Sequence, residues 1–258
     1  MNLVSRKPGV ELKTAAEVSL MRKAGELAGL TLKEVEKHIA AGVSTQDLDK
    51  VAEIFIKKNG GIPTFIGYRG YPATLCVSIN QEVVHGIPNS RTIIKEGDVV
   101  SVDVAATVDG FVGDTAFTKI VGHASSKDQK LVDVTKASLD AAIAVCQPGM
   151  RLGDIGFAVQ TVAEAAGFGV VRDFVGHGIG RKMHEEPAVP NYGKPGTGLR
   201  LEIGMVIAIE PMVTSGSWKV KVLKDGWTVV TEDGSNAAHF EHTVAITDKG
   251  PIVLTQVV

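Results

Sequence analysis

Five side chains of types that bind divalent metals occur in apolar or glycine-rich segments of this sequence. They are Asp103, Asp114, His177, Glu210 and Glu241. A buried carboxylate needs a cation or hydrogen-bond donors beside it, and one imidazole with four carboxylates suits divalent ions in the Mn, Fe, Co or Zn range. The number of ligands predicts two ions bridged by carboxylates, a kind of site that activates water and polarises a carbonyl group. For any single acid, a solvated surface position remains the alternative.

The imidazole lies in the segment Gly176-His-Gly-Ile-Gly. Glycine lets neighbouring backbone approach closely, which favours a ligand role for His177. A lone histidine in a loop is more often structural, so this assignment depends on the four acids.

Alternation of side chains along a strand places the first two acids on one face of a sheet. In the segment 100–105 the valines share one face, while Asp103 lies on the other. A reverse-turn signal at Val108-Asp109-Gly110 then sends the chain back. The spacing predicts that Asp114 lies opposite or nearly opposite Asp103, where two carboxylates repel each other unless a cation lies between them.

The later acids follow the same rule. Alternation in the segment 206–210 places Glu210 on the face opposite the isoleucines. Glu241 is predicted to follow a longer hairpin around Lys224-Asp225-Gly226 and to share a strand face with His239. The apolar faces should pack against helices, so the acids are predicted to line a concave surface.

The elements that must position these residues alternate along the chain as helices, strands, helices, strands. Apolar periodicity predicts helices over residues 15–38, 45–58, 127–146 and 152–166. Strand-rich segments are predicted from about 75 to 122 and from about 170 onward. Thr45 is expected to cap the second helix, and the pair Gly60-Gly61 to end it.

The two halves of the chain match each other at a constant offset of 107 residues. The segment 42–48 corresponds to 149–155, and 97–103 corresponds to 204–210. Both segments of the second pair end in an acidic residue, Asp103 and Glu210. Two similar segments of a glycine turn and a strand could also arise by coincidence. The repeat predicts an α+β fold of two similar halves, about 14–122 and 123–258, which share a mixed or antiparallel sheet with helices on one side.

Composition and charge describe an ordinary globular protein. The 258 residues are 44% hydrophobic, with a formal net charge of -2, which argues against nucleic acid or an anionic membrane as the main partner. The segment 1–10 lacks the apolar stretch of a secretory signal, and no later stretch is apolar enough to span a membrane. Cys76 and Cys146 are expected to be reduced thiols. The protein is therefore predicted to be cytoplasmic, with a single catalytic domain over 1–258 and a short N-terminal extension, 1–13.

Several short segments together resemble type I methionine aminopeptidases, which have the creatinase-like pita-bread fold. They are Gly67-Tyr-Arg-Gly-Tyr-Pro, Val84-His-Gly-Ile-Pro, Val102-Asp-Val, Gly113-Asp-Thr, Gly176-His-Gly-Ile-Gly, Met183-His-Glu-Glu-Pro, Ile209-Glu-Pro-Met and Glu241-His-Thr. The resemblance extends over nearly the whole chain. It implies a curved, mostly antiparallel sheet with helices on its outer face, and removal of the initiator methionine from nascent peptides whose second residue is small.

The resemblance also implies how the ligands are shared between two divalent metal ions. By this pattern Asp103 chelates one ion, His177 and Glu210 hold the other, and Asp114 and Glu241 bridge both.

Two further histidines receive roles from the resemblance. It implies that His85 contacts the substrate near its amine and scissile amide, and that His184 donates a hydrogen bond to the carbonyl oxygen as it becomes an oxyanion. Glu241, in preference to Glu210, would carry the proton from the attacking water. The residues alone leave both histidines equally open to structural roles.

An apolar pocket for the methionine side chain is implied at Tyr68, Tyr71, Cys76 and Trp227, although each of these also suits ordinary core packing. Phe65 and Met183 differ from the residues most frequent in the family, and both are expected to border the pocket. A monomer that contacts the ribosome transiently is expected.

Two other functions remain open at this point. The first is an X-Pro aminopeptidase, prolidase or creatinase on the same fold. Those relatives usually carry a separate N-terminal domain, whereas about 14 residues precede the first predicted helix here. The second is a metal-free interaction protein, against which the presence of all five candidate ligands argues.

Overall fold

The computed structural model describes residues 9–123 and 125–257. Of the predicted N-terminal extension 1–13, residues 1–8 therefore lie outside the described residues. Four α-helices occur in the described part of the chain: α1 (Ala15–Glu36), α2 (Thr45–Lys58), α3 (Ser126–Ala144) and α4 (Leu152–Ala165). Each boundary lies within two residues of its predicted position. None of the helices within the described ranges is long and apolar enough to cross a membrane.

The strands are short and numerous. In chain order they are β1 (Ile62–Pro63), β2 (Leu75–Ile79), β3 (Glu82–Val84), β4 (Val99–Val108), β5 (Phe111–Ile120), β6 (Gly169–Val170), β7 (Gly176–Gly178), β8 (Glu185–Val189), β9 (Val206–Ile209), β10 (Met212–Thr214), β11 (Val220–Val222), β12 (Val229–Thr231), β13 (Ala237–His239), β14 (Glu241–Thr247) and β15 (Gly250–Val253).

One large sheet joins the two halves of the chain. Its main path runs β1-β4-β5-β14-β9-β7-β8, with β2 paired to β4 and β15 paired to β14. The strand pairs of this sheet are antiparallel. Two three-stranded sheets, β13-β10-β6 and β11-β12-β3, lie beside it. The predicted α+β fold with a mostly antiparallel shared sheet is confirmed, and the two small sheets are an addition to it.

The internal repeat appears in the boundaries of the elements. Both ends of α4 lie 107 residues after those of α2, and β9 begins 107 residues after β4. Gly42 and Gly149, which precede the two helices, have φ angles of 92° and 95°. These left-handed conformations favour glycine, which explains why the repeat retains it there.

Helix α2 begins differently from the prediction. Ser44, rather than Thr45, is the N-cap, and its hydroxyl accepts a hydrogen bond from the backbone N–H of Asp47 at 3.2 Å. Thr45 is the first helical residue, and its hydroxyl donates to the carbonyl oxygen of Asn89. Both residues are good caps, so the backbone direction at Ser44 decides between them.

The helices cover the apolar faces of the sheet strands, as predicted. Val100, Val102 and Val104 of β4 pack in one cluster with residues of α1 and α2. Ile207 and Ile209 of β9 pack in a second cluster with residues of α3 and α4. The opposite face of each strand is therefore left for the acids.

Helix α1 packs closely on β5 because glycine occupies the crossing. A Cβ atom built on Gly113 would lie 2.4 Å from the backbone nitrogen of Gly25 and 2.6 Å from the carbonyl carbon of Ala24. Any side chain at Gly113 would push the helix away from the strand that carries the adjacent Asp114.

The turn of the β4–β5 hairpin is centred one residue later than the predicted turn signal at Val108-Asp109-Gly110, so the register of the two strands differs from the one in which Asp114 lies directly opposite Asp103. Val108 pairs with Phe111, and the two turn residues Asp109 and Gly110 have φ angles of 51° and 78°. Positive φ at both turn positions is the pattern of a type I′ turn, whose twist matches antiparallel strands. Asp114 consequently lies opposite Ala105, a diagonal neighbour of Asp103 on the same face.

The prediction that Glu241 continues the second hairpin, on one strand with His239, was wrong. The turn around Lys224-Asp225-Gly226 joins β11 to β12, which belong to a separate small sheet. His239 ends β13 and pairs with Met212, whereas Glu241 begins β14 after a break at Phe240. The two strands belong to different sheets, since β13 pairs with β10 whereas β14 pairs with β5 and β9. His239 and Glu241 therefore do not share a strand face.

Candidate metal centre and active site

The five predicted ligands converge at the middle of the large sheet. Asp103 lies on β4, Asp114 on β5, His177 on β7 and Glu241 on β14, and Glu210 directly follows β9. Nε2 of His177 is 3.7 Å from Oδ2 of Asp114 and 3.6 Å from Oε1 of Glu210. Asp114, His177 and Glu241 each place one donor atom within 4.8 Å of the other two.

Threonine hydroxyls fix the strands that carry these ligands. Thr243 accepts a hydrogen bond from the backbone N–H of Asp114 at 3.0 Å and donates to the carbonyl oxygen of Asp114 at 2.8 Å. Thr115 donates to the carbonyl oxygen of Glu241 at 2.8 Å. All four residues are buried. These bonds hold the backbone of β5 against that of β14 and leave the carboxylates free for other partners.

Burial governs the protonation of the carboxyl groups. It raises the pKa of Asp103 well above its usual range, with a further increase from the charge of Asp114. The pKa of Asp114 rises to about 7, again because of burial. Burial, followed by repulsion from Asp114, also raises the pKa values of Glu210 and Glu241 well above normal. Without a cation the cluster therefore favours the protonated state.

Unsatisfied atoms in the cluster fit a metal site. Asp103 Oδ1, Asp114 Oδ1 and Glu241 Oε1 are buried without a hydrogen-bond partner in the described part of the chain. Nδ1 of His177 is 2.9 Å from the carbonyl oxygen of Gly178, a contact that keeps the proton on Nδ1 and leaves Nε2 free to coordinate. Burial lowers the pKa of His177 to about 4, so the ring is neutral near pH 7. The donor set matches divalent metal ions.

His184 lies over the candidate metal ligands. Its ring centroid is 4.1 Å from that of His177, and it stacks on Tyr68 with centroids 5.3 Å apart. The Tyr68 hydroxyl is 2.8 Å from Nδ1 of His184. Burial lowers the pKa of His184 to about 4. With the hydroxyl donating to Nδ1, the neutral ring carries its proton on Nε2, which is then a hydrogen-bond donor for a bound group.

His85 occupies a strained position beside the same cleft. Its φ angle is 62°, which is unusual for a residue other than glycine. The ring makes edge contacts with Phe174 and Trp227 at centroid distances of 5.8 and 6.1 Å. Burial and the nearby His184 lower the pKa of His85 to about 4. A neutral imidazole is thus held against an aromatic wall.

The cleft combines the cluster with an apolar wall. Along with the five predicted ligands and both catalytic candidates, it is lined by Phe65, Tyr68, Arg69, Tyr71, Cys76, Met183 and Trp227. Tyr71 contacts Trp227 edge to face, with ring centroids 5.0 Å apart. Cys76 and Cys146 are both free and buried, as expected. Every residue predicted for the site therefore lies at this one cleft.

Three residues near the site had not been given a role there. Arg69 lines the cleft, Phe174 packs on His85, and the side chain of His239 comes within 3.9 Å of Glu210. Arg69 lies in a motif already singled out, and its φ of 50° marks a tight turn. Phe174 reaches the site from the loop between β6 and β7, for which the local sequence carries no signal. His239 had been predicted only to share a strand face with Glu241, and it reaches the site from β13 of the small sheet.

The model of the metallopeptidase family M24 matches residues 19–248. The chain belongs to this family of metallopeptidases. It is 52% identical to methionine aminopeptidase 1 of Bacillus subtilis over 245 residues, which cover 95% of this chain and 98% of the relative. It is 47% identical to methionine aminopeptidase 1 of Mycobacterium tuberculosis over 252 residues, or 95% of each chain. Within the family, the chain groups with the methionine aminopeptidases.

Solved structures agree with this placement. A methionine aminopeptidase from Thermotoga maritima superposes with a TM-score of 0.95 at 48% identity, covering 96% of this chain and 100% of that one. A prolidase from Pyrococcus furiosus superposes with a TM-score of 0.76 at 22% identity, over 96% of this chain and 66% of that one. The second likeness shows the shared pita-bread fold alone.

Proposed function

We propose that this protein is a metal-dependent aminopeptidase that removes the N-terminal methionine of nascent polypeptides, preferentially when the second residue is small. The observation that carries the proposal is the cluster of four carboxylates around buried His177, with Asp114 and Glu241 also buried, which opens into a cleft with an apolar wall. The identity of about 50% to methionine aminopeptidases over nearly the full chain supports this substrate.

We assign the ligands of two divalent metal ions to this cluster. Asp103 would hold one ion, His177 and Glu210 would hold the other, and Asp114 and Glu241 would be shared by the two. Mn, Fe, Co and Zn all suit these donors. Bound ions would supply activation of a water molecule and polarisation of the scissile carbonyl group.

The surrounding residues carry out the remaining chemistry. His184 donates a hydrogen bond from Nε2 to the carbonyl oxygen as negative charge develops there, with Tyr68 keeping the ring in the required tautomer. His85 contacts the substrate near its amine and scissile amide. Glu241 would accept a proton from the attacking water and deliver it to the leaving amine, because its carboxylate lies at the cleft among the other candidate ligands.

The apolar wall binds the methionine side chain. Tyr68, Cys76 and Trp227 present aromatic and sulfur surfaces beside the ligands, and such surfaces suit a flexible thioether. Phe65 and Met183 also line the cleft and are expected to set the depth of this pocket.

The setting we propose is the cytoplasm, where the protein acts as a monomer with transient contact to the ribosome. The supporting argument is the substrate, because initiator methionine becomes accessible on nascent chains.

Peptide selectivity tests this function directly. Manganese-loaded protein is expected to release methionine from Met-Ala-Ser at least ~100-fold faster than from Met-Lys-Ser, because the second side chain must fit beside the metal centre. An Ala-Pro-Ser peptide serves as the control for X-Pro hydrolysis. Preferential release of alanine from that peptide would contradict the proposal, as would equal rates on both methionine peptides.

A further inference from the structure

His239 lies beside Glu210 but is not one of the five assigned ligands. Its side chain is 2% exposed, and its Nε2 has no hydrogen-bond partner within residues 9–123 and 125–257. This atom is 3.9 Å from Oε2 of Glu210. Burying an imidazole nitrogen without a partner forfeits the hydrogen bond it makes in water, so the position calls for another interacting group.

The distance between these atoms favours a shared cation over a hydrogen bond. An N–H···O hydrogen bond has donor and acceptor about 3 Å apart, so 3.9 Å is too long. The value is similar to the 3.6 and 3.7 Å from His177 Nε2 to Glu210 and Asp114. Two ligand atoms that each lie about 2.1 Å from one ion are separated by roughly 3 to 4 Å.

The carboxylate of Glu210 thus lies between two imidazoles. Its Oε1 is the nearer oxygen to His177, and its Oε2 is the nearer oxygen to His239. Asn191 donates to the backbone carbonyl of Glu210 at 2.9 Å, which helps to fix this arrangement.

The backbone of His239 is held independently of its ring. Its N–H donates to the hydroxyl of Thr118 at 2.8 Å, and the same hydroxyl donates to its carbonyl oxygen at 2.7 Å. Pairing of β13 with β10 adds the register partner Met212. The ring is therefore positioned by the main chain, and its Nε2 stays available for a ligand role.

We propose that His239 supplies Nε2 as an additional ligand on the Glu210 side of the metal centre, an inference that rests on the proposed function. Oxygen donors suit Mn(II), whereas imidazole suits ions later in the transition series, such as Co(II), Ni(II) and Zn(II). A second imidazole shifts the preference of this centre toward those ions.

Metal titrations of three proteins test the proposal. The wild type, His239→Gln and the control His242→Gln are stripped of metal, and Co(II) and Mn(II) are added separately in a calorimeter. His242 is a matched control because it neighbours Glu241 in β14 while its Nδ1 lies 2.8 Å from the hydroxyl of Thr255. His239→Gln is expected to weaken Co(II) binding about 10-fold or more and Mn(II) binding less than about 3-fold. The control should change neither.

The Co(II)-loaded proteins provide a second readout. Paramagnetically shifted NMR signals should come from two coordinated imidazoles in the wild type and the control, and from one in His239→Gln. Signals from a single imidazole in the wild type would overturn the proposal, as would equal weakening of both metals by His239→Gln. Failure of the wild type to bind either ion would instead overturn the proposed function and this inference together.

Discussion

At the scale of single residues, the main physical problem is four carboxyl groups brought together away from water. Their raised pKa values show that the folded protein resists their ionisation when no cation is present. The cluster therefore lowers stability near neutral pH, and a bound metal ion would remove that penalty. This is the energetic pattern of a site whose purpose is binding rather than folding.

The pH dependence of stability follows from these shifts. The folded protein holds protons that the unfolded chain releases near pH 4, so the stability of the metal-free protein falls as pH rises toward the folded pKa values. The buried histidines have lowered pKa values, so their contribution makes stability rise with pH, but only below about pH 6.5, where the unfolded chain still protonates them. Between about pH 7 and 8.5, we expect the melting temperature of metal-free protein to fall by several degrees and that of Mn(II)-loaded protein to stay nearly constant.

Differential scanning calorimetry with and without EDTA measures both melting curves. Glu210→Gln is the matched variant, since it removes one titrating group and should flatten the metal-free curve. An equal metal-induced increase in melting temperature at both pH values would contradict this explanation.

His184 should affect turnover rather than metal binding. We expect His184→Ala to lower kcat about 100-fold or more, because it removes a donor to the developing oxyanion. Tyr68→Phe should lower kcat roughly 5-fold through loss of one hydrogen bond to His184. Steady-state kinetics and metal titrations on both variants make the test. His123, which is exposed, provides the control His123→Ala. Normal kcat with reduced metal affinity in His184→Ala would refute this role.

Much of the site was predictable at this scale because strand alternation places Asp103 and Glu210 on the face away from the valines and isoleucines. The diagonal position of Asp114 relative to Asp103 was not predictable, because the strand register depends on which two residues form the turn. The proximity of His239 to Glu210 arises from packing between separate sheets. No periodicity within one strand contains that information.

At the scale of elements, a buried ion pair ties the N-terminal segment to the loop that carries His184. Lys13 Nζ lies 2.7 Å from Oε2 of Glu185, and these side chains are only 1% and 10% exposed. The other carboxylate oxygen of Glu185 accepts from the backbone N–H of Lys182 at 3.1 Å. Gly180 leaves room for the pair, because a Cβ there would lie 2.4 Å from Lys13 Cε.

Breaking this pair should be costly. Lys13→Met leaves the Glu185 carboxylate buried without its cation, so we expect the free energy of unfolding to fall by about 3 kcal/mol. Denaturant unfolding measures the loss, and the double variant Lys13→Met/Glu185→Gln should recover most of it. Lys23→Met is the control, because the ion pair of Lys23 with Asp109 is more than half exposed and should contribute no more than about 1 kcal/mol. Similar losses in both single variants would contradict the buried-pair argument.

Helices were easier to predict than strands. An amphipathic helix such as α2 shows its periodicity over four turns, and Gly60, which has a positive φ, follows shortly after its last residue, Lys58. Strands of two or three residues, such as β6 and β13, are too short to show alternation. Their pairing is decided by tertiary contacts, which explains why the hairpin leading to Glu241 was assigned incorrectly.

At the scale of the whole molecule, the repeat explains where the candidate metal centre lies. The central pairings join β5 of the first half to β14 of the second, and β14 to β9. Candidate ligands from both halves therefore meet at the junction. The apolar faces are covered by α1 and α2 in one half and by α3 and α4 in the other, so the acids face the cleft from both sides.

The most direct test measures bound metal and methionine release in the same samples. Metal-stripped protein receives Mn(II) or Co(II) in steps, and free methionine from Met-Ala-Ser is measured at each step beside the metal content. We predict no release without metal and a rise in rate with bound metal, with neither tight binding nor release in Glu241→Gln. Release by the metal-free protein at the rate of the loaded protein would contradict the account.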